Sequence, residues 1–461
     1  MENKKPQPLR IMVDFCATML HHGHIRLIQK AKSHFKNIET QIVIGLATDD
    51  EIVLYKGYQP ELSFAHRKEI LEALRVVDEV VATPWKITEA TLKTYHIDYL
   101  VHGDDNQNDV EQLLVFPRTE SISSNQLRIK TVQSIVQKRN SEKLMFTPGP
   151  SNMSYLNMFD LKSAFGRGDD EYTQIENLVL KNILKLTDHD QIVRLQGGGT
   201  TAIDVATSNI VLGKILIIDA GYYSKRISHI IKQKLDSLPE TTYKIINYND
   251  IEKELLVENT YDWIATAYVE TAEAFLSDIY LLKKLAARKQ AKLFLDATAS
   301  INLEPNHQLA DVCTFSSCKG LGGLTGAAFI TYKAAAYQPE KRGDIPFTLD
   351  LETHKNKLYT GPYHAICSLH SISKNFSSIT ANVKQSKAFF LEKYNNRIIR
   401  PLSQQPLIST LIKAKSVSAN QNVVLYQPRT SAKNTAVICH LGDMFANSKN
   451  CGKIYDALLI H

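Results

Sequence analysis

The chain has 461 residues, of which 44% are hydrophobic and 22% charged, and its formal net charge at neutral pH is +6. That small, dispersed positive charge suits phosphorylated small molecules and argues against nucleic acid as a partner. The six cysteines form no CxxC pair, no signal peptide is visible, and no apolar run approaches about 18 residues. We therefore expect a cytoplasmic protein without a metal site or a membrane span.

Short apolar strands alternate with amphipathic helices in the first third of the chain. We predict strands at residues 10–13, 41–46, 76–81 and 99–103, and helices at residues 25–34, 63–74 and 88–95. This alternation predicts a parallel, doubly wound α/β sheet of the Rossmann-like kind.

A pair of histidines stands where the first predicted strand leads into the first helix. His21 and His24 are three residues apart near a helix N-terminus, where free N–H groups and the helix dipole attract phosphate. Imidazoles in that position can donate to triphosphate oxygens while a nucleotidyl group is transferred. Gly23 lets the backbone come close to the nucleotide. A histidine-rich turn without a ligand is the alternative.

This motif and later segments resemble the HxGH cytidylyltransferases, in the branch that acts on phosphoethanolamine. The segments MVDFCATMLHHGH, TDDEIVLYKG, RKEILEALRVVDEVV, YHIDYLVHGDD and RTESISS occur in the family's order. The resemblance implies that His21 and His24 stabilise the triphosphate of CTP, that Lys56 supports the phosphates, and that Mg²⁺ arrives with CTP. It implies a nucleotide-binding and catalytic set that also contains Cys16, Gly103, Arg118, Ser123 and Ser124.

The sequence departs from that family in the loop before the histidines. Phe15 and Thr18 stand where the family usually has glycine and aspartate, and Asn125 ends a run that the family writes as ISTT. The serine in place of the first threonine keeps a hydroxyl group. The resemblance places both loop changes at the pocket for the acceptor substrate.

A polar, helix-prone stretch separates the front of the chain from the rest. Residues 126–143 contain neither glycine nor proline, which predicts a linking helix or, equally, the closing helix of the first domain. We place a cytidylyltransferase domain at 1–130, a linker helix at 131–143 and a second domain at 144–461.

The second domain carries an acid and a lysine in positions that suit pyridoxal phosphate (PLP). The apolar run 292–295 ends on Asp296, and the run 310–315 leads into Lys319 and a glycine-rich exit. Parallel sheets place ligands at the carboxyl ends of their strands. A lysine there can bind the cofactor aldehyde, while the acid keeps the pyridine nitrogen protonated. A helix-capping aspartate and a solvated lysine are the alternative.

The run LDATAS…FSSCKGLGG resembles the cofactor centre of the class V (fold type I) PLP-dependent aminotransferases, in the branch of 2-aminoethylphosphonate–pyruvate transaminases. The resemblance extends from about Leu144 onward. It implies that Tyr223 stacks on the cofactor ring and that Thr360 is lent by a partner subunit, hence a homodimer. The implied cofactor-binding set is Gly199, Thr200, Thr201, Tyr223, Glu270, Asp296, Lys319 and Thr360.

One departure concerns the substrate of this second domain. The family holds a substrate carboxylate with an arginine in a run such as FRIGNIG, and the corresponding position here is Val437. A bidentate arginine is hard to replace. Our hypothesis is that Arg429, nearby in sequence, supplies the charge; otherwise the amino donor is unusual or the reaction differs.

These observations predict a bifunctional enzyme. The front domain would activate 2-aminoethylphosphonate or phosphoethanolamine, which differ by one bridging atom, with CTP to a CDP-type derivative. The rear domain would interconvert 2-aminoethylphosphonate and its aldehyde, with an amino acid and a keto acid as partners. The same activities on another substrate, such as aminopropanediol phosphate, are one alternative. A cytidylyltransferase with a catalytically degenerate PLP-fold dimerisation module is the other.

Overall fold

The computed structural model describes residues 7–105, 107–162, 164–166, 168–237, 240–339, 345–358, 360–419, 422–430, 432–441 and 453–461. The chain divides into two compact units, Met1–Ser134 and Ile135–His461, called here the front and the rear unit. Within the described residues, no helix has the length and apolar character needed to cross a bilayer.

The front unit is a five-stranded parallel sheet with helices on both faces. Its strands, in the order β3-β2-β1-β4-β5, are β1 (Leu9–Phe15), β2 (Thr40–Ala47), β3 (Glu79–Thr83), β4 (Tyr99–Gly103) and β5 (Leu113–Phe116). Its helices are α1 (His22–His34), α2 (Asp49–Lys56), α3 (Phe64–Glu72) and α4 (Glu89–Thr94), and α5 (Ser124–Glu142) begins in this unit.

The central strand β1 explains why both faces of this sheet are covered. Ile11 and Val13 are fully buried in one apolar cluster, and Met12 between them is fully buried in another. A strand with apolar side chains on both faces needs a helical layer on each side. The predicted doubly wound α/β fold is therefore confirmed.

Two details of the front unit differ from the sequence-based prediction. The third strand is Glu79–Thr83 and not 76–81, because Val77 closes a turn with Leu74 and Asp78 accepts a hydrogen bond from the backbone of Ile42. Helix α2 was not predicted from the sequence, although Thr48 caps its N-terminus and Gly57, with a φ of 73°, ends it.

The rear unit is built on a seven-stranded sheet in the order β7-β15-β14-β13-β10-β8-β9. Only β15 runs antiparallel to its neighbours within this described sheet. The strands of the rear unit are β6 (Leu144–Phe146), β7 (Gln191–Gln196), β8 (Lys214–Asp219), β9 (Thr242–Asn247), β10 (Trp263–Ala267), β11 (Val269–Glu270), β12 (Phe275–Leu276), β13 (Lys292–Asp296), β14 (Val312–Ser316), β15 (Ala327–Tyr332), β16 (Ser409–Lys413), β17 (Val417–Ala419), β18 (Val423–Leu425), β19 (Thr435–Cys439) and β20 (Leu458–Ile460).

Helices cover both faces of that sheet as well. They are α6 (Tyr155–Phe159), α7 (Asp170–Leu184), α8 (Gly199–Asn209), α9 (Tyr222–Lys232), α10 (Ile251–Leu255), α11 (Ile279–Arg288), α12 (Leu351–Lys355), α13 (Tyr363–Cys367), α14 (His370–Ser373) and α15 (Phe376–Tyr394). On the central strand β13, Leu293 and Leu295 pack into one buried cluster and Phe294 into another. The strand thus delivers Asp296 to the carboxyl edge of the sheet.

Candidate active sites

A cavity of about 670 Å³ lies at the carboxyl ends of β1 and β4 in the front unit. All of the front-unit site residues predicted from the sequence line it; they are Cys16, His21, His24, Lys56, Gly103, Arg118, Ser123 and Ser124. The sheet edge and the start of α1 thus bring together residues as far apart in sequence as Cys16 and Ser124.

The two histidines of the cavity are locked by the backbone at the start of α1. His21 precedes the helix, and its Nδ1 accepts a hydrogen bond from the Gly23 N–H at 3.1 Å. The Nδ1 of His24 accepts from the His21 N–H at 3.3 Å, and the two ring centroids are 3.9 Å apart. A neutral imidazole whose Nδ1 accepts carries its proton on Nε2. Both rings therefore keep an Nε2–H donor for another ligand.

Burial keeps both imidazoles neutral. It lowers the pKa of His24 to about 3, and the adjacent His21 pushes the pKa of His24 in the same direction. The pKa of His21 is also lowered by burial and by its neighbours His22 and Arg118. Neutral N–H donors beside a positive helix end and a guanidinium group suit the oxygens of a phosphate chain.

Cationic side chains line the same cavity. Arg118 forms an ion pair with Asp105, with 3.3 Å between Nη1 and Oδ2, and its stem packs where a Cβ on Gly103 would lie. Lys56, the last residue of α2, holds its Nζ 5.3 Å from the centre of the Trp85 ring. Both are flexible cations within reach of a bound anion.

A buried carboxyl group, which sequence reasoning missed, also lines the cavity. Asp14 is 5% exposed, accepts a hydrogen bond from Asn108 Nδ2 at 3.2 Å and lies 3.6 Å from His102 Nε2. Burial raises the pKa of Asp14 to about 6, against the opposing effects of His102 and Asn108. An acid that ends an otherwise apolar strand was the available signal, because the same pattern pointed to Asp296.

In the rear unit, Lys319 follows β14 and is only partly buried. A Cβ on Gly149, whose φ is 138°, would lie 2.8 Å from the Lys319 stem, so the chain around Gly149 packs directly on the lysine. The N–H of Ser151 donates to the Cys318 carbonyl at 2.8 Å. The Lys319 Nζ lies 5.7 Å from the centre of the Tyr223 ring.

The acid partner lies on the adjacent strand. Asp296 is 7% exposed, and its Oδ1 accepts from the Thr298 N–H at 2.9 Å. Burial raises its pKa, while Thr298, Lys319 and Arg226 oppose that rise. The Lys319 amine thus favours the ionised form of Asp296, and the two residues lie at the carboxyl ends of neighbouring strands.

The glycine-rich segment before α8 forms the next wall of this site. A Cβ on Gly199 would lie within 3 Å of the Thr298 side chain, so only glycine fits where α8 approaches β13. Thr200 Oγ1 accepts from Arg226 Nη1 at 3.0 Å, and Thr201 Oγ1 accepts from the Gly198 N–H at 3.4 Å. Arg226 was not among the residues predicted from the sequence. It adds a cation to a helix N-terminus that already favours anions.

Glu270 lies behind the aromatic residue of the site. It is fully buried on the short strand β11, which follows β10. Its carboxylate accepts from the N–H of Tyr223 at 2.9 Å and from the N–H and Oγ of Ser224, both at 2.6 Å. Burial raises the pKa of Glu270 to about 7. Glu270 therefore fixes the start of α9 and with it the Tyr223 ring.

Three further positions complete the comparison with the predicted rear site. Val437 is 5% exposed and packs with Ala274 and Cys439, so an apolar patch stands at the family's arginine position. Arg429 is exposed and donates to the Tyr222 hydroxyl at 2.9 Å. Thr360 is exposed in the isolated chain and lies in the loop that precedes α13.

This geometry fits PLP. Asp296 and Lys319 supply a buried acid and an amine, and Tyr223 supplies an aromatic face. The hydroxyl oxygens of Thr147 and Ser151, on either side of Gly149, are buried and have no hydrogen-bond partner among the described residues. Buried polar atoms normally have partners, so these hydroxyls favour a polar ligand beside the lysine.

Two sets of known proteins match different parts of the chain. A family model described as cytidylyltransferase-like matches residues 16–148. The glycerol-3-phosphate cytidylyltransferase of Bacillus spizizenii is 32% identical over 117 residues, which are 24% of this chain and 87% of that protein.

The chain belongs to the cytidylyltransferase-like family. The cytidylyltransferases that match this chain are named for different acceptor substrates. The ethanolamine-phosphate cytidylyltransferase of Arabidopsis thaliana is 36% identical over 107 residues, which are 22% of this chain and 24% of that protein.

A different set of proteins matches a longer part of the chain. The 2-aminoethylphosphonate–pyruvate transaminase of Pseudomonas aeruginosa strain PAO1 is 25% identical over 245 residues, 49% of this chain. The chain spans 66% of the length of that relative. A crystal structure of alanine–glyoxylate aminotransferase from Nostoc sp. aligns with a TM-score of 0.59 at 14% identity, over 68% of this chain and 94% of that one. The rear unit thus has the aminotransferase fold, as predicted.

Proposed function

We propose that this cytidylyltransferase-like protein is a bifunctional enzyme that transfers CMP from CTP to an amine-bearing phosphonate or phosphate and carries out PLP-dependent amino-group transfer. The observation that carries the proposal is the pair of backbone-locked, neutral imidazoles of His21 and His24 in a cavity that also contains the buried acid Asp14.

In the front reaction, an oxygen of the acceptor attacks the α-phosphorus of CTP. A new P–O bond forms as the bond to pyrophosphate breaks, and pyrophosphate leaves. The Nε2–H groups of His21 and His24, with Lys56 and Arg118, stabilise the negative charge that builds up on the phosphates. Mg²⁺ enters with the CTP phosphates, which are its usual ligands.

Asp14 supports an acceptor that carries an ammonium group. The Asp14 carboxylate accepts from the Asn108 amide and lies near His102, and neither partner carries a fixed positive charge. An ammonium group would supply one. An uncharged hydroxyl, such as that of glycerol 3-phosphate, would satisfy Asp14 less well. We therefore favour 2-aminoethylphosphonate or phosphoethanolamine as the acceptor.

In the rear unit, Lys319 would hold PLP, and Asp296 would face its ring nitrogen. Gly199, Thr200, Thr201 and Arg226 would hold its phosphate, and Tyr223 would pack on its ring. PLP, when bound, withdraws electrons from the bond at the amino-bearing carbon. Lys319, once free, would move the proton at that carbon, and Glu270 would keep Tyr223 in place. Thr360 of a second copy would complete the site, so we propose a homodimer, located in the cytoplasm.

The amino donor depends on Val437 and Arg429. The apolar patch around Val437 cannot hold a carboxylate, while Arg429 lies beside Tyr222, the neighbour of Tyr223. We propose 2-aminoethylphosphonate as the metabolite shared by the two sites. The transaminase that the chain resembles is named for this compound, and its ammonium group could pair with Asp14 in the front cavity. Another amino-alcohol phosphate, such as aminopropanediol phosphate, is the second candidate. A rear unit that only dimerises is the third, favoured by Val437.

Pyrophosphate release from CTP with a panel of acceptors tests the front reaction. We expect 2-aminoethylphosphonate or phosphoethanolamine to be used well above glycerol 3-phosphate. Absorbance of the purified protein after addition of PLP tests the rear unit, because a lysine-bound cofactor absorbs visible light. Colourless protein that releases pyrophosphate would favour the dimerisation module.

A further inference from the structure

One side chain at the rim of the front cavity ties three segments together. Arg128, in the second turn of α5, lines the cavity. Its guanidinium bonds both carboxylate oxygens of Glu61, with 2.8 Å between Nη2 and Oε2. It also donates to Thr18 Oγ1 at 3.0 Å and to Asn125 Oδ1 at 2.8 Å, and lies 4.5 Å from the centre of the Tyr58 ring.

Each of these segments carries residues of the proposed reaction. Thr18 lies three residues before His21 in the loop after β1. Glu61 and Tyr58 lie in the loop that follows Lys56 at the end of α2. Asn125 follows Ser123 and Ser124 at the start of α5. Thr18 stands where the related sequences carry an acid, and its hydroxyl accepts from Arg128 without competing with Glu61 for the charge.

The contacts of Arg128 identify it as a positioning residue and not as a ligand. Four of its five N–H donors are directed at Glu61, Thr18 and Asn125, so few remain for a substrate. The Arg128 and Glu61 side chains are 26% and 36% exposed. An ion pair that exposed contributes little to global stability. We therefore expect the ion pair to fix the relative positions of the three segments and to contribute little to the stability of the whole protein.

We infer that Arg128 and Glu61 form a clamp that holds the loop of Thr18 and the loop of residues 58–61 against the start of α5, so that His21, Lys56 and Ser123 face the cavity together. This inference rests on the proposed cytidylyl transfer. Loss of the clamp lets the phosphate-binding residues move apart, and small misplacements in a site of this kind slow the reaction strongly.

The front unit offers a matched control pair. Arg10 Nη2 lies 2.7 Å from Glu79 Oε2, and these side chains are 25% and 45% exposed. Arg10 also joins several segments, since it donates to Gln41 Oε1 and to the Tyr95 carbonyl. This pair lies at the amino ends of β1 and β3, and neither residue lines the cavity.

The test compares Glu61→Gln and Arg128→Met with Glu79→Gln and Arg10→Met in the full chain. We expect kcat/KM for CTP to fall roughly 10-fold in Glu61→Gln and on the order of 100-fold in Arg128→Met. The double variant should lose little more than Arg128→Met, because the pair acts as a unit. The control pair should stay near wild type, and preference among acceptors should not change.

Hydrogen exchange supplies a readout that does not need turnover. Backbone amides of Gly57 and Leu127, which donate to the Val53 and Ser123 carbonyls beside the clamped segments, should exchange faster in Glu61→Gln than in Glu79→Gln, with and without CTP. Equal exchange in the two variants would overturn the clamp, whether or not the wild type is active. Equal losses of kcat/KM in both pairs would also overturn it, since they would report general destabilisation. A wild type that transfers no CMP would instead overturn the proposed function.

Discussion

The two sites of this protein are assembled in different ways. The front site depends on a motif of four residues, in which backbone N–H groups at the start of α1 fix the rings of His21 and His24. The rear site gathers Lys319, Asp296 and Tyr223 from separate strand ends and a helix start. The geometry of the histidine pair is thus local, whereas that of the rear site depends on the whole sheet.

The sites also differ in the charge that they offer a substrate. The front cavity buries a carboxyl group, Asp14, that no arginine or lysine pairs with among the described residues. The rear unit has an apolar patch at Val437, where the sequence resemblance implies an arginine, and the proposed replacement, Arg429, is exposed. We therefore propose that the front cavity favours an amine and that the rear unit binds a substrate carboxylate without a buried arginine at position 437.

The largest expected effect is the complete loss of cofactor binding at the rear site with no change in the front reaction. Lys319→Ala should abolish the visible absorbance of bound PLP, because no other amine replaces the covalent anchor, while CMP transfer stays at the wild-type rate. Lys374→Ala, an exposed lysine of the same unit, is the control. If the absorbance persisted in Lys319→Ala, another lysine would hold the cofactor.

Substitutions of the histidine pair should have a nearly equal effect on the front reaction and none on cofactor binding. His24→Ala and His21→Ala each remove a donor that stabilises the developing charge, so CMP transfer should fall by on the order of 100-fold or more. Absorbance of bound PLP should not change. His22→Ala, between them and exposed, should remain near wild type. Near wild-type turnover of both variants would refute the role of the histidine pair.

A smaller effect tests the amine preference of the front cavity. Asp14→Asn should weaken the binding of 2-aminoethylphosphonate by about 30-fold, the scale of ~2 kcal/mol for a buried charge pair. Binding of glycerol 3-phosphate should weaken much less. Steady-state KM values for the two acceptors make the comparison. An equal loss for both would assign Asp14 a structural role.

The pH dependence follows from the same carboxyl group. The pKa of Asp14 is raised to about 6, so the group loses its charge as the pH falls through that value. KM for an amine acceptor should rise roughly tenfold per pH unit below 6 and stay level above 7. Asp14→Asn should remove this dependence. Glycerol 3-phosphate, which lacks the amine, reports any pH effect that is not due to Asp14.

The smallest effect is expected at Arg429. The guanidinium is exposed on Tyr222, so Arg429→Ala should lower amino-acid turnover by only about tenfold and leave PLP absorbance intact. Arg288→Ala, another exposed arginine of the rear unit, should have no effect. Undiminished transamination in Arg429→Ala would exclude Arg429 as the carboxylate partner.

Local patterns explain which features were predictable. The strand–helix alternation and the HHGH motif act over a few residues, so the sequence predicts the front fold and the place of His21 and His24. An acid at the end of an apolar run predicted Asp296, and the same signal was present but unused at Asp14. The clamp of Arg128 on Glu61 joins residues 67 positions apart, and the contact of Arg226 with Thr200 joins residues 26 apart. Contacts of this kind need the folded chain.

The central claim is that both sites act on one metabolite, and a coupled assay tests it most directly. The protein is given CTP, PLP, an amino acid and phosphonoacetaldehyde, and pyrophosphate is measured. Wild type should release pyrophosphate; Lys319→Ala and His24→Ala should each fail alone and recover activity when mixed. Lys319→Ala should also respond to added 2-aminoethylphosphonate. If wild type used 2-aminoethylphosphonate but released no pyrophosphate from the aldehyde with any amino acid, the claim of a shared metabolite would be wrong.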